Sequence, residues 1–251
     1  GGSGVGFGFL GGIVGGFLAG YVVLGLERLL SGMPKNLDGL KAIFLYPLLS
    51  TFVVGLVMLG ISGPMATINT AMMDFLKGLS DSGPVVLGLA IGCMCAFDMG
   101  GPINKTASTF TMALMASSVY APNGMFRVAV AIPPIACGLA SVIARNKYDD
   151  ADRQMGISAI FMGCIGITEG AIPFAVKDFG HTLPGIMVGS AVGSALAAIQ
   201  GIECFVPHGG FVVALATNNV LLFCLDIVIG SVVGAAILIA MKPRLSSTQA
   251  D

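Results

Sequence analysis

Tryptophan is absent from this 251-residue chain, and charge is scarce: 12 Lys and Arg, 13 Asp and Glu and two His, with 10% of residues charged. A soluble domain carries about a quarter charged residues, so this sequence lacks the polar surface to cover itself in water. A net charge of −1 says nothing about nucleic acid, but no basic cluster offers the electrostatic footprint of a nucleic-acid binder. The six cysteines (Cys93, Cys95, Cys137, Cys164, Cys204 and Cys224) form no CxxC pair and sit in or beside apolar runs, as small buried hydrophobes do. No Walker loop, HExxH pair or serine nucleophile elbow occurs, which excludes ATP hydrolysis and gives no ground to expect a metal or cofactor. Nor is there a row of charges of the kind that serves a proton relay or a voltage sensor.

What is present is apolar. Hydrophobic residues make up 55% of the chain, mean hydropathy is +0.93, and there are 37 glycines. Glycine is common in transmembrane helices, where it lets backbones approach closely. The composition therefore predicts an all-α, polytopic membrane bundle, with Tyr21, Tyr46, Tyr120 and Tyr148 near the ends of apolar runs as interfacial anchors in place of tryptophan. The opening GGSGVGFGFLGGIVGGFLAGY has neither an initiator Met nor a basic n-region, so it is no signal peptide. It reads as a segment already inside a membrane domain that lacks its first spans. One membrane domain over residues 1–241 and a polar tail over 242–251 are expected.

Apolar runs near the length needed to cross a bilayer, about 20 residues, cover Val5–Leu26, Ala42–Ile61 (stopped by 62-SGP-64), Met125–Ala144 (with 133-PP-134 in its middle), Thr182–Ile202 and the stretch Phe211–Met241. Between Met65 and Leu79 the apolar residues recur at helical spacing, predicting an amphipathic interfacial helix. Basic residues cluster in loop 27–41 (Arg28, Lys35, Lys41), loop 145–154 (Arg145, Lys147, Arg153) and the tail (Lys242, Arg244). The positive-inside rule places all three in the cytoplasm.

Polar residues interrupt the apolar sequence at 97-FDMGGPINK-105, 169-EGAIPFAVKDFGH-181 and 203-ECFVPHGG-210. The first two are alike: an acid (Asp98, Glu169), a proline four residues on (Pro102, Pro173), then a lysine (Lys105, Lys177). Paired Gly/Pro-broken hydrophobic segments point to a transporter's binding site, because broken helices free backbone groups for a solute. A carboxylate at membrane depth costs roughly 2.5–3.5 kcal/mol on insertion scales and needs an offset. For Asp98 the plain alternative is a structural pair with Lys105. Glu169 lies deeper, and a carboxylate there can accept hydrogen bonds from sugar hydroxyls or act as general base on a hydroxyl attacking phosphorus. His208, between Pro207 and two glycines, is placed either for a ligand or for a neighbouring carbonyl. Asn104 can donate and accept, and is equally placed to cap the next helix. His181, beside Asp178, reads as interfacial.

Taken in order, FDMGGPINK, 145-RNKYDD-150, 167-ITEGAIPFAVKD-178 and 207-PHGG-210 resemble the fructose family of enzyme IIC, the membrane component of the bacterial phosphoenolpyruvate-dependent sugar phosphotransferase system. The resemblance covers essentially the whole chain. It implies a homodimeric domain with broken or re-entrant helical hairpins in the cytoplasmic membrane of a bacterium. It also implies group translocation: a hexose, fructose by default, is bound from outside and released inside as a sugar phosphate. The phosphoryl group would come from a phosphocysteine on the partner IIB, charged in turn by IIA, and not from any cysteine of this chain. Glu169 becomes the leading sugar ligand and catalytic base by this similarity, with His208, Asp98 and Asn104 as companions. The rival expectation is an ion-coupled secondary transporter using Asp98 and Glu169 as ion sites.

Overall fold

The computed structural model describes residues 8–34 and 37–244. The start of the first expected span (5–7), Lys35, and tail residues 245–251 lie outside the described residues. All described regular elements are helical. The chain divides into two compact units, residues 1–72 and 73–251.

The first unit holds α1 (Gly8–Leu29), the short α2 (Asp38–Leu40), a single π-helical turn (Lys41–Leu45) and most of α3 (Tyr46–Asp81). Lys41 is buried in this apolar unit because its ammonium is neutralised locally: Nζ donates to Asp38 Oδ1 at 2.8 Å and to the Met33 carbonyl at 3.2 Å. The stop expected at 62-SGP-64 is missing. Helix α3 runs on through Pro64, so 65–79 is the second half of a long helix rather than an element of its own. Proline deletes one N–H from the ladder, whereas ending the helix in apolar surroundings would strand several backbone groups.

The second unit contains α4 (Pro84–Phe97), α5 (Pro102–Ala116), α6 (Ala121–Ile143), α7 (Asp150–Cys164), the short α8 (Ile172–Lys177), α9 (Phe179–Gln200) and α10 (Val220–Met241). Among the described residues, the segment Asp38–Asp81 and helices α6, α9 and α10 are long and apolar enough to cross a membrane. In the second unit α4, α6, α9 and α10 pack together as the core, and glycine seams hold it together. Gly88 and Gly92 of α4 lie on the backbone of α9 at Ser194 and Ser190. On another face of α9, Gly185, Gly189 and Gly193 recur at four-residue spacing. A Cβ at Gly189 would stand 2.6 Å from the Gly230 carbonyl of α10. Small residues at every turn let backbones touch, which is how helices gain packing energy when lipid offers no hydrophobic drive.

Helix α6 is the buried axis, with nearly every residue from Pro122 to Ser141 enclosed. Its N-terminal end meets the loop after α9, and Lys147 beyond its C-terminal end donates to the Ile239 carbonyl of α10. Thus α6 and α10 run one way and α9 the other. The apolar stretch expected from Phe211 to Met241 is helical in the α sense only from Val220. Phe211–Ala216 forms a 3-10 turn, and an isolated bridge between Cys204 and Thr217 closes the loop beneath it. Asn219 caps α10, its side chain accepting from Leu222 N.

Candidate functional site

The first interruption is a tight turn between α4 and α5. Met99 (φ 47°) and Gly100 (φ 112°) both adopt left-handed backbone, which folds the chain back so that Asp98 lies over the start of α5. Pro102 opens that helix, where its missing N–H costs nothing. The Asp98 carboxylate accepts from Ile103 N at 2.6 Å and from Asn104 N at 2.9 Å, an anion on the positive end of a helix. Asn104 is buried, and its Nδ2 donates to the Cys95 carbonyl at 2.6 Å, an α4 acceptor that the break leaves over. Asp98 and Asn104 thus hold the broken hairpin in shape.

The second interruption is set by α6. Pro134 has no N–H, so the Val130 carbonyl loses its helical donor. The Thr168 hydroxyl takes that place, donating to Val130 O at 3.2 Å. Gly170 packs against Pro134 and Met162. The 3-10 turn Thr168–Ala171 is thereby fixed against the middle of the buried helix. Its Glu169 side chain reaches across to the first break. A Cβ on Gly100 would lie 2.8 Å from Glu169 Cδ, and Lys105 Nζ stands 3.5 Å from Glu169 Oε1. Both side chains of this pair stay accessible, 38% for Lys105 and 43% for Glu169. An ion pair that open contributes little stability, so a ligand can compete for either partner at small cost.

The third interruption closes on the second. His208 Nε2 lies 2.7 Å from the Ile165 carbonyl. A carbonyl only accepts, so this nitrogen carries the proton, and in the neutral ring Nδ1 is left as an acceptor. Gly166 (φ 81°) and Gly210 (φ 78°) pack backbone on backbone; a Cβ at Gly210 would be 2.5 Å from Gly166 N. Glu169 and His208 are therefore anchored to one short segment, 165–169, while Lys105 and Gly100 come from the first break. That pairs a carboxylate with an ammonium and sets the imidazole on the segment just before the carboxylate. This set can accept hydrogen bonds from hydroxyls, take a proton from one, and offset negative charge. Among the described residues no group of His, Cys, Asp and Glu converges as metal ligands.

The expected likeness of the first two breaks holds for their position but not their wiring. Lys105 pairs with Glu169 rather than with Asp98, and Lys177 pairs with Asp152 and Asp149 at the far end of the unit. Lys177 has its pKa raised, first by the hydrogen bond to Asp152 and against some desolvation. At the same end Asp178 takes Lys242 at 2.8 Å and His181 at 2.7 Å. Desolvation works against the Asp178 carboxylate, yet its hydrogen bonds to Lys242 and His181 outweigh it and hold its pKa below the usual value. His181 is thus part of a polar end cluster.

Two residues behind the site were not singled out from sequence. Asn123 is fully buried, and Arg127, one helical turn on, is 5% exposed. The signal was available: a polar residue and a cation four apart on an otherwise apolar helix lie on one face and demand a partner.

The profile of the family described as "Phosphotransferase system, EIIC" matches residues 3–179. The chain is 43% identical over 238 residues to a fructose permease IIC component of Bacillus amyloliquefaciens, covering 94% of this chain and 78% of that one. It is 42% identical to a fructose-specific EIIABC component of Bacillus subtilis, covering 94% of this chain but 38% of that longer protein. A fructose-specific EIIC component of Haloferax volcanii is 36% identical, over 99% of this chain and 66% of its own. No solved structure matches.

Proposed function

The chain belongs to the phosphotransferase-system EIIC family, and on that footing we propose that it carries a hexose, fructose by preference, across the cytoplasmic membrane and presents it for phosphorylation. The relatives' names support fructose. The names EIIABC and EIIB'BC support a phosphorylated EIIB as the partner that supplies the phosphoryl group. The observation that carries the reading is the meeting of Glu169 with Gly100 and Lys105, beside the segment that holds His208.

In this reading Glu169 accepts hydrogen bonds from the sugar and takes the proton of the hydroxyl that attacks phosphorus. Loose phosphoryl transfer asks mainly for positioning and charge stabilisation, and Lys105 supplies the positive charge. His208, held by Ile165, presents Nδ1 to a sugar hydroxyl. Asp98 and Asn104 serve the site by fixing the turn that brings Gly100 and Lys105 to Glu169. Both Asp98 oxygens already accept backbone N–H groups, which favours group translocation over an ion-coupled carrier that needs Asp98 for a cation. The family relationship also supports a homodimer.

The test uses membrane vesicles bearing the protein, phosphorylated EIIB and labelled fructose. Labelled sugar phosphate is the expected product on the EIIB side. Accumulation of free, unmodified fructose driven by an ion gradient would overturn the proposal.

A further inference from the structure

The loop that carries His208 has little regular structure of its own, yet its backbone is held by one side chain from another helix. Asn123 Nδ2 donates to the Cys204 carbonyl at 2.8 Å and to the Val206 carbonyl at 3.0 Å. Two of its three acceptors are thus alternate residues of the loop, ending two residues short of His208, and the third is Met115 Sδ at 3.4 Å. The orientation of that amide is itself fixed, because Arg127 Nε donates to Asn123 Oδ1 at 2.9 Å. A reversed amide would set NH₂ against a donor. Arg127 Nη2 in turn lies 3.5 Å from Ser108 Oγ on α5, the helix that begins at the first break. The guanidinium has no carboxylate within ion-pair distance among the described residues, although it is almost wholly buried. A buried cation kept without a counter-ion is costly, and packing alone would be met more cheaply by an apolar side chain. The backbone agrees: Gly124 abuts the Ile202 carbonyl, and Gly209 abuts the Arg127 carbonyl and Val130.

We propose that Asn123 and Arg127 are positioning residues of the sugar site, setting the 204–208 loop and so the approach of His208 to Ile165 and the bound sugar. The inference rests on the sugar-site reading above and extends it to two residues that do not touch the ligand. Arg127 fixes the Asn123 amide, Asn123 fixes the loop, and the loop delivers the imidazole. The contact to Ser108 ties the same chain of bonds to the helix bearing Lys105.

The experiment compares Asn123→Asp and Arg127→Lys, each alone and combined with His208→Ala. Asn123→Asp keeps the acceptor for Arg127 but cannot donate to Cys204 and Val206. Arg127→Lys keeps the charge but loses the planar donor that orients Asn123. Fructose affinity is measured on the monodisperse purified protein, and KM for phosphorylation is measured in vesicles normalised to inserted protein. Each single variant is expected to lose about ten- to a hundredfold in affinity per folded molecule, the scale of a misplaced site group. In the His208→Ala background the same substitutions are expected to add less than about twofold, because they act through that ring. Unchanged affinity in the folded fraction, or losses that simply multiply with His208→Ala, would overturn the positioning role. Failure of the parent protein to bind any hexose would instead overturn the sugar-site reading beneath it.

Discussion

At the scale of single residues, Glu169 and Gly100 make one device. Gly100 holds a left-handed φ, and any side chain there would enter the space of the Glu169 carboxylate. Gly100→Ala is expected to lower sugar phosphorylation by about a hundredfold while the protein still inserts, read as initial rate per inserted molecule. Glu169→Gln keeps the volume but loses the base, and both binding and phosphorylation are expected to vanish; wild-type turnover would remove Glu169 from the site. Asp98→Ala removes a helix cap, with an expected stability loss of about 1 kcal/mol, seen as a lower Tm in detergent. Sequence alone singled out both acids and put Glu169 first by its depth, but it could not show how Asp98 is held. The strings around Asp98 and Glu169 look alike, but only the turn at Met99 and Gly100 folds the first acid onto its own helix. Asn123 and Arg127 escaped notice because their partners are carbonyls of a loop far along the chain.

Elements show the same division between what is local and what is not. The breaks expected at 97–105 and 169–181 were legible because glycine and proline act on their own backbone, although the second opens earlier, after Cys164. The continuity of α3 through Pro64 was not, since one proline reads the same whether a helix stops or continues. A further tie joins α9 to α10: Gln200 Nε2 donates to Asp226 Oδ1 at 3.0 Å, while Asp226 Oδ2 and Gln200 Oε1 have no partner. Asparagine at position 226 would supply the missing donor. Asp226→Asn is therefore expected to match or exceed the parent's Tm, and Asp226→Ala to lower stability by about 1–3 kcal/mol, because the buried Gln200 amide is then stranded. At the opposite end of α9, Asp178 is held below its usual pKa. A depressed carboxylate contributes stability that is present above its unfolded pKa, near 3.9, and is lost as pH falls through the lower folded value. The Tm difference between the parent and Asp178→Asn is thus expected at neutral pH and should fade under acid conditions, as a pH series of melting curves would show.

For the whole molecule, composition settled the class, and the basic loops gave an orientation that the second unit makes testable. Lys147 reaching Ile239 and Lys242 reaching Asp178 put loop 145–154 and the end of α10 at one end of that unit. Arg145 and Arg244 are both exposed there. Cysteines substituted at Arg145 and Arg244 are expected to react with an impermeant thiol reagent from the same, cytoplasmic, side; labelling from opposite sides would overturn the assignment. What sequence could not deliver at this scale are the contacts that join the three interruptions. They depend on which carbonyls α6 leaves open and on glycines touching across the fold. The contact of Gly166 with Gly210 also has a meaning in time. A ribosome delivers α6 and the turn bearing Glu169 well before the glycine that covers them. Until residues 203–210 emerge, the exposed backbone at Gly166 must be sheltered by the insertion machinery or by water. A nascent chain stalled after α9 would therefore lack the segment whose glycines pack on Gly166 and on the Arg127 carbonyl.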